Sequence, residues 1–341
     1  MNAALNELLK QTSRSFYLTL RVLPARVRPQ IGLAYLLART TDTIADTGVV
    51  PLGQRLDALQ ELRDRILGKS TTPLNFSGLA KRQAAPAERL LLEKVEDSLA
   101  LLLKLTPADL QRVRGVLTII TGGQELDLER FAGASADNII ALKTDIELDD
   151  YTYRVAGCVG EFWTQLCRAH LFPRAELEDA QLFGDSIRFG KGLQLLNILR
   201  DLPADLHKGR CYLPSLELDQ AGLMPSVLLS PASESRFRPL YHRYLDLAES
   251  HLLAGWNYTN SLPRGQMRVR LACAWPILIG ARTIARLRTA NVLELRRGVK
   301  ISRVEVYGMI LHSVLSYPLA DSWRKQFVPN RKAIASGKKL G

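Results

Sequence analysis

The sequence lacks features that define several classes of protein. Its four cysteines include no Cys-x-x-Cys pair and no histidine at zinc-ligand spacing, so we expect reduced core thiols rather than disulfides or a structural zinc site. No apolar run reaches the roughly 18–20 residues that a spanning helix needs. The N-terminus has no apolar run typical of a signal peptide. We therefore expect a cytoplasmic protein without a signal peptide or a transmembrane helix.

Signals for β-structure are also missing. The chain has no Asn-Gly or Asp-Gly turn and no series of alternating strands. Apolar residues instead recur at helical spacing, as Leu56, Leu59, Leu62 and Ile66 do, and Thr106 before Pro107 is typical of a helix start. The pattern predicts an all-α protein with further helices over residues 87–104, 147–170, 184–202, 236–260 and 268–295. Residues 68–86 and 209–235 are predicted to be irregular.

Acidic residues are outnumbered, with 34 Asp and Glu against 46 Lys and Arg and a net charge of +12. The basic excess is concentrated late in the chain, and no acidic residue follows Asp321. Basic clusters attract nucleic acid, anionic lipid or phosphorylated small molecules, although a solvated basic face with a frayed tail is an equally good reading. Since the chain has no nucleic-acid-binding motif, we expect no nucleic-acid partner.

Two polar faces interrupt the apolar helices. The first consists of Tyr35, Arg39, Asp42 and Asp46, whose spacings of 4, 3 and 4 put them on one side of a helix. Two carboxylates one turn apart can bind a hard divalent cation such as Mg²⁺, which keeps open positions for phosphate oxygens. An exposed acidic pair with an arginine one turn away is the alternative.

The second polar face consists of Gln194, Asn197, Asp201 and Asp205 inside a strongly apolar helix. Burying such groups without partners costs several kcal/mol, so this face predicts a metal, a ligand or water. Pro203 predicts a kink or a helix end close to Asp205. Arg200 and Arg210 flank the carboxylates, and guanidinium groups suit phosphate oxygens.

Together the two faces predict a cavity with four carboxylates, metal sites and nearby arginines. Such a cavity suits the magnesium-assisted departure of a diphosphate leaving group. If the substrate is allylic, the remaining carbocation needs a dry cavity with aromatic walls. Phe16, Tyr35 and Tyr153 are candidates for these walls, although each taken singly is more often part of a core.

Four segments carry a resemblance to a known family. They are residues 12–16 (TSRSF), 35–46 (YLLARTTDTIAD), 155–160 (VAGCVG) and 193–214 (LQLLNILRDLPADLHKGRCYLP). The chain resembles the squalene/phytoene synthase family, and residues 42–46 (DTIAD) and 298–301 (GVKI) look like its squalene synthase branch. The resemblance implies an isoprenoid synthase-type, single-domain helical bundle around a central cavity, over residues 1–320, with a basic C-terminal tail over residues 321–341.

The resemblance also implies a reaction. Two molecules of farnesyl diphosphate would condense head to head with Mg²⁺ to give presqualene diphosphate. A second ionisation, a rearrangement and hydride transfer from NADPH would then give squalene. A non-reductive enzyme that makes presqualene diphosphate, dehydrosqualene or phytoene is the first alternative. A catalytically inactive relative that acts in assembly is a second, and the intact aspartates argue against it.

Residue roles follow from the resemblance by position. The implied metal ligands are Asp42, Asp46, Asn197, Asp201 and Asp205. Substrate contacts are implied for Ser13, Arg14, Ser15, Phe16, Gln194, Asn197, Arg200 and Arg210. The implied catalytic residues are Tyr35, Arg39, Asp42, Tyr153 and Asp201. Cofactor contacts are implied for Arg14, Arg39, Lys300 and Arg303.

The chain also departs from the family pattern. Many relatives have a glutamate where this chain has Ala45 and Ala204, and many squalene synthases have a tyrosine where it has Arg154. The acid or base role then falls to Tyr153 or Tyr151. A peripheral membrane contact through residues 306–320 and the basic tail is an additional expectation, with a helix packed on the core as its alternative.

Overall fold

The chain folds into helices that form two compact units. The structure, a computed structural model, describes residues 3–13, 16–294 and 298–328. The first unit comprises Met1–Ala132 and Phe162–Ala175, and the second comprises Gly133–Glu161 and Glu176–Gly341. The predicted single domain over residues 1–320 and the tail beyond it stay a prediction.

The first unit is built from helices whose apolar faces form its core. They are α1 (Ala3–Ser13), α2 (Phe16–Val22), α3 (Arg28–Asp46), α4 (Leu52–Leu67), α5 (Ser77–Ala80), α6 (Pro86–Glu93), α7 (Val95–Leu102) and α8 (Pro107–Arg130). The stripe predicted on α4 is buried at Leu59, Leu62 and Ile66. The predicted cap of α8 is also confirmed, because the Thr106 side chain accepts a hydrogen bond from the backbone N–H of Asp109.

The second unit contains the longest helices. Its elements are β1 (Ile140–Ala141), α9 (Asp145–Thr152), a π-helical segment (Tyr153–Gly157), the start of α10 (Cys158–His170), α11 (Asp179–Leu206), β2 (Arg210–Cys211), α12 (Ser215–Gln220), two 3₁₀ segments (Pro225–Leu229 and Pro231–Ser233), α13 (Glu234–Ser261), α14 (Met267–Leu287), α15 (Arg303–Ser316) and α16 (Ala320–Arg324). Residues of α10 from Phe162 onward belong to the first unit. The two strands pair in parallel, which the sequence did not signal.

Three sequence predictions about helix boundaries were wrong. The helix predicted over residues 87–104 is broken at Lys94, between α6 and α7. The helix predicted over residues 184–202 runs from Asp179 to Leu206 as α11, so of the two alternatives at Pro203 the helix end is wrong. The helix α14 ends at Leu287, well before residue 295, and the Arg238 guanidinium from α13 donates to the Leu287 carbonyl at 3.0 Å and to those of Arg288 and Ala290 beyond the helix.

The segment 155–160 and the helix α11 approach each other closely at glycines. An added Cβ at Gly160 would lie 2.0 Å from the carbonyl oxygen of Ser186 on α11. On α11 itself, an added Cβ at Gly190 would lie 2.1 Å from the carbonyl oxygen of Ala156 in the π-helical segment. Two backbones therefore touch here, and only glycine permits the contact.

We expect Gly160→Ala or Gly190→Ala to lower the free energy of unfolding by about 3 kcal/mol, because backbone atoms cannot give way as a side chain can. The matched control is Gly184→Ala on the same helix, where nothing lies within 4 Å of an added Cβ. That variant should gain about 1 kcal/mol of helix propensity. Chemical denaturation of the three variants measures both effects, and equal stabilities would contradict the close approach.

Several smaller expectations are met by the described residues. All four cysteines are free and buried, as predicted. Among the helices of the described ranges, none is long and apolar enough to cross a membrane. Within the predicted tail, α16 buries Trp323, while the basic residues from Arg331 onward lie outside the described residues.

Candidate functional site

Asp42 is the most perturbed carboxyl group of the first polar face. Its Oδ1 accepts a hydrogen bond from the side-chain amide of Gln124 on α8, and its Oδ2 lies 3.8 Å from the Arg39 guanidinium. Burial raises the pKa of Asp42 to about 6 although 44% of its side chain remains accessible; the charge of Asp46 adds to the shift and Arg39 opposes it. A cation bound next to Asp42 would therefore stabilise its ionised carboxylate form.

The other members of this face have partners within the first unit. Arg39 forms an ion pair with Glu88 of α6; burial opposes its charge, but the carboxylates of Asp42 and Glu88 outweigh burial and raise the pKa of Arg39. The Tyr35 hydroxyl donates to the backbone carbonyl of Thr12 at 2.9 Å. The rings of Phe16 and Tyr35 lie 5.2 Å apart, so one aromatic pair is next to the polar face.

The segment between α1 and α2 contains four predicted site residues. The Ser13 hydroxyl donates to the backbone carbonyl of Leu9, so Ser13 closes the last turn of α1. Phe16 is the first residue of α2. Arg14 and Ser15, predicted to contact substrate or cofactor, lie outside the described residues.

The second polar face lies on α11. The Arg200 guanidinium binds Asp201 through two hydrogen bonds of 2.8 and 2.6 Å, and this hydrogen bonding raises the pKa of Arg200. The Asn197 amide donates to Gln194 Oε1 at 3.4 Å. Asp205 lies one turn beyond Asp201, 3.9 Å from the Lys208 ammonium. The predicted Arg210 is in β2, directly after this helix.

Both aspartate pairs lie in the last two turns of their helices. Asp46 is the last residue of α3, and Asp205 is the last but one of α11. The C-terminus of a helix carries partial negative charge, which disfavours carboxylates and favours cations. Two carboxylates at this position in each unit fit Mg²⁺, which takes oxygen ligands and leaves positions for water and phosphate. The prediction that the two faces form one cavity stays a prediction.

Tyr153 starts the π-helical segment and is a candidate proton donor. Its hydroxyl donates to Glu161 Oε2 at 3.3 Å, and burial raises the pKa of Tyr153, with the Glu161 charge acting in the same direction. The Lys191 ammonium lies 5.7 Å from the centre of the Tyr153 ring. The alternative candidate, Tyr151, is buried and its ring stacks at 4.6 Å on Tyr212, which suits a structural role better.

The comparison with known proteins shows the family of the chain. The sequence profile of the squalene/phytoene synthase family matches residues 9–305 of the chain. The chain belongs to the squalene/phytoene synthase family. A bifunctional lycopene cyclase/phytoene synthase of Arthroderma gypseum is 30% identical over 71% of this chain and 39% of that protein. The squalene synthase of Saccharomyces cerevisiae is 28% identical over 90% of this chain and 66% of that protein.

Comparison with solved structures tests the fold predicted from the sequence. The solved structure of TcSQS in complex with the ligand E5700 matches with a TM-score of 0.77 at 18% identity, covering 99% of this chain and 98% of that one. The predicted all-α fold of the isoprenoid synthase type is confirmed by this likeness. The chain spans less than half the length of the bifunctional relative from Arthroderma gypseum.

In this squalene/phytoene synthase chain, the predicted cofactor residues Lys300 and Arg303 are exposed near the start of α15. Neither side chain has an ion-pair partner among the described residues. The backbone carbonyl of Lys300 accepts a hydrogen bond from Arg286, whose guanidinium also binds Glu305 at 2.6 Å. Arg286 thus fixes the main chain of this region, while the side chains of Lys300 and Arg303 remain available to bind an anion.

Sequence reasoning missed three residues that contact the polar faces and Tyr153. They are Gln124, Glu88 and Glu161. Gln124 lies 82 residues from Asp42 in the chain and Glu88 lies 49 residues from Arg39, so no local spacing could have indicated either contact. Glu161 was detectable, since it lies two helical turns after Tyr153.

Proposed function

We propose that this member of the squalene/phytoene synthase family is a squalene synthase. It condenses two molecules of farnesyl diphosphate head to head to presqualene diphosphate and then reduces this intermediate to squalene with NADPH. Relatives named squalene synthase and phytoene synthase match at similar identity, so the product is assigned from the chain's own residues.

The aspartate pairs are assigned the ionisation step. Asp42 and Asp46 serve one diphosphate, and Asp201 and Asp205 serve the other, with Asn197 and Gln194 beside the second pair. When bound, Mg²⁺ supplies positive charge that stabilises the departing diphosphate. The observation that carries this assignment is that each pair occupies the negative end of its helix, where a bound cation is favourable.

The arginines next to these pairs are assigned to phosphate oxygens. A guanidinium has five donors in a fixed fork, so Arg39 and Arg200 can keep a carboxylate partner and still donate to a phosphate. Arg210 follows α11 directly and is assigned to the same diphosphate as Asp201. Each arginine binds the negatively charged diphosphate after it leaves the carbon skeleton, and so favours ionisation over recombination.

The aromatic residues are assigned to the carbocation. The paired rings of Phe16 and Tyr35 offer π-faces, and the hydrogen bond from the Tyr35 hydroxyl to the Thr12 carbonyl holds the Tyr35 ring in place. Tyr153 is assigned the proton transfer, since its hydroxyl is hydrogen-bonded to the Glu161 carboxylate.

The reductive step is assigned to the region before and at the start of α15. Lys300 and Arg303 are two cations without ion-pair partners in the described ranges, and the phosphates of NADPH need such groups. The non-reductive enzyme is the second candidate, and it would need no group of this kind.

Incubation of the purified protein with farnesyl diphosphate and Mg²⁺, with and without NADPH, tests the proposal through mass spectrometry of the products. We expect squalene only when NADPH is present and presqualene diphosphate when it is absent. Dehydrosqualene in both incubations would show the non-reductive enzyme instead. No consumption of farnesyl diphosphate would contradict the proposed function.

A further inference from the structure

A small cavity in the second unit is lined by three arginines. It has a volume of about 110 Å³ and lies among the end of α13, the start of α14 and the residues around α16. The arginines are Arg264, Arg270 and Arg324, and the rings of Tyr317 and Trp323 form part of its wall. None of these residues is assigned above to diphosphate, carbocation or NADPH.

Arg270 is the central residue of this cavity because it is buried without a counter-charge. Only 5% of its surface is exposed, and its Nε is buried with no hydrogen-bond partner. Its Nη2 donates to Asn260 Oδ1 at 2.9 Å, and its guanidinium lies 5.5 Å from the rings of both Tyr317 and Trp323. No ion pair joins any of the three arginines to a carboxylate in the part of the chain that the structure describes.

The surrounding groups make the missing counter-charge more unfavourable. Burial lowers the pKa of Arg270, and the charges of Arg264 and Arg324 act in the same direction, whereas Tyr317 opposes the shift. Asn260 Oδ1 already accepts a second hydrogen bond, from the Trp323 indole at 2.8 Å. A buried cation that lacks a counter-charge is unfavourable, so a bound anion would stabilise this cavity.

We propose that the cavity lined by Arg264, Arg270 and Arg324 is a binding site for a phosphate group. The lining suits a tetrahedral oxyanion, since Arg270 has a buried N–H without a hydrogen-bond partner and the two exposed arginines can close around the anion. The rings of Tyr317 and Trp323 hold the Arg270 guanidinium by cation–π contacts when the anion is absent.

The phosphate group can come from a soluble molecule or from the headgroup of an anionic lipid. The neighbouring helix α15 exposes an apolar stripe at Val304, Tyr307, Leu311 and Leu315, which continues to Leu319. Lipid tails would cover this stripe while the headgroup entered the cavity. A soluble phosphate would use the cavity alone, so the two sources predict different affinities.

Isothermal titration of the full chain with inorganic phosphate tests the site, at constant ionic strength and with EDTA in place of Mg²⁺. We expect Arg324→Gln to weaken binding about tenfold, the effect of losing one charge-assisted hydrogen bond, and Arg270→Met to remove it. The control is Arg282→Gln, an exposed arginine of α14 that does not line the cavity and should leave the affinity unchanged. Binding that survives both cavity variants, or no binding of phosphate or of the lipid below, would overturn the proposal.

Thermal unfolding separates an anion site from a structural arginine. We expect phosphate to raise the Tm of the unaltered protein but not that of Arg270→Met, whose Tm without phosphate should not fall. An equal fall in Tm with and without phosphate would mean that Arg270 only supports the fold, and would contradict the proposal.

Titration with a short-chain phosphatidylglycerol, compared with phosphatidylcholine of the same chain length, identifies the source. Binding of phosphatidylglycerol that is tighter than that of inorganic phosphate and weakened by Arg324→Gln indicates a lipid headgroup. Affinity for phosphatidylglycerol no greater than that for inorganic phosphate indicates a soluble ligand. Both results support the site.

Discussion

Asp42→Asn is expected to lower the rate of farnesyl diphosphate consumption by at least about 10²-fold, while making the metal-free protein no less stable. Loss of a group that stabilises developing charge has effects of this size. The amide keeps the shape of the carboxyl group but removes the charge that would bind Mg²⁺. The measurement is the rate of diphosphate release at saturating Mg²⁺.

The stability of this variant has a pH dependence of known sign. Because burial raises the pKa of Asp42 to about 6 from an ordinary 3.8, this group lowers the stability of the fold progressively between pH 3.8 and about pH 6, and the loss is complete above pH 6. The amide that replaces this carboxyl group does not ionise, so in EDTA the Tm of the variant should equal or exceed that of the unaltered protein at about pH 7.5. The difference should shrink at about pH 5, where Asp42 is protonated.

Mg²⁺ provides a second measurement besides activity. It should raise the Tm of the unaltered protein by binding the folded state, and raise that of Asp42→Asn less. Asp201→Asn should lose activity similarly but gain less stability, because Asp201 is already neutralised by Arg200 at 2.6 Å. The control is Asp57→Asn on the exposed face of α4, and turnover retained by both site variants would contradict the assignment of the aspartates.

Local spacing explains why so much of the fold could be predicted. The stripe of α4 and the cap at Thr106 depend on neighbours three or four residues away, and both were correct. The end of α14 is bound by Arg238, which lies 49 residues earlier and donates to the carbonyl of Leu287, the last residue of the helix. A contact with such a distant side chain leaves no local signal.

In the candidate site, too, only the features that depend on local spacing could be predicted from the sequence. The aspartates were found because carboxylates at spacing i, i+4 share a helix face, and Asp42 and Asp201 were singled out for that reason. Gln124 and Glu88, which contact Asp42 and Arg39, come from other helices and could not be inferred. The glycine segment 155–160 was noticed only as part of a resemblance, and its physical reason, the backbone contact of Gly160 with Ser186, required the structure.

Lys300→Ala is expected to change which product leaves the enzyme, with little effect on the first condensation. Its ammonium has no ion-pair partner among the described residues, and its exposed position means that removal should not alter the Tm. Losing one charge-assisted contact to an NADPH phosphate should raise the KM for NADPH about tenfold. Presqualene diphosphate should then accumulate at limiting NADPH, and the preference for NADPH over NADH should fall if the contact is to the 2′-phosphate.

The matched control for this prediction is Lys325→Ala, an exposed lysine at the end of α16 that has no assigned role in the reaction. Farnesyl diphosphate consumption should stay within about twofold in both variants, because neither lysine is assigned to the ionisation step. The ratio of presqualene diphosphate to squalene should rise only in Lys300→Ala. Arg286 donates a hydrogen bond to the backbone carbonyl of Lys300 and so holds the main chain of this region. An equal loss of both half-reactions would mean that Lys300 supports this local fold and does not bind the cofactor.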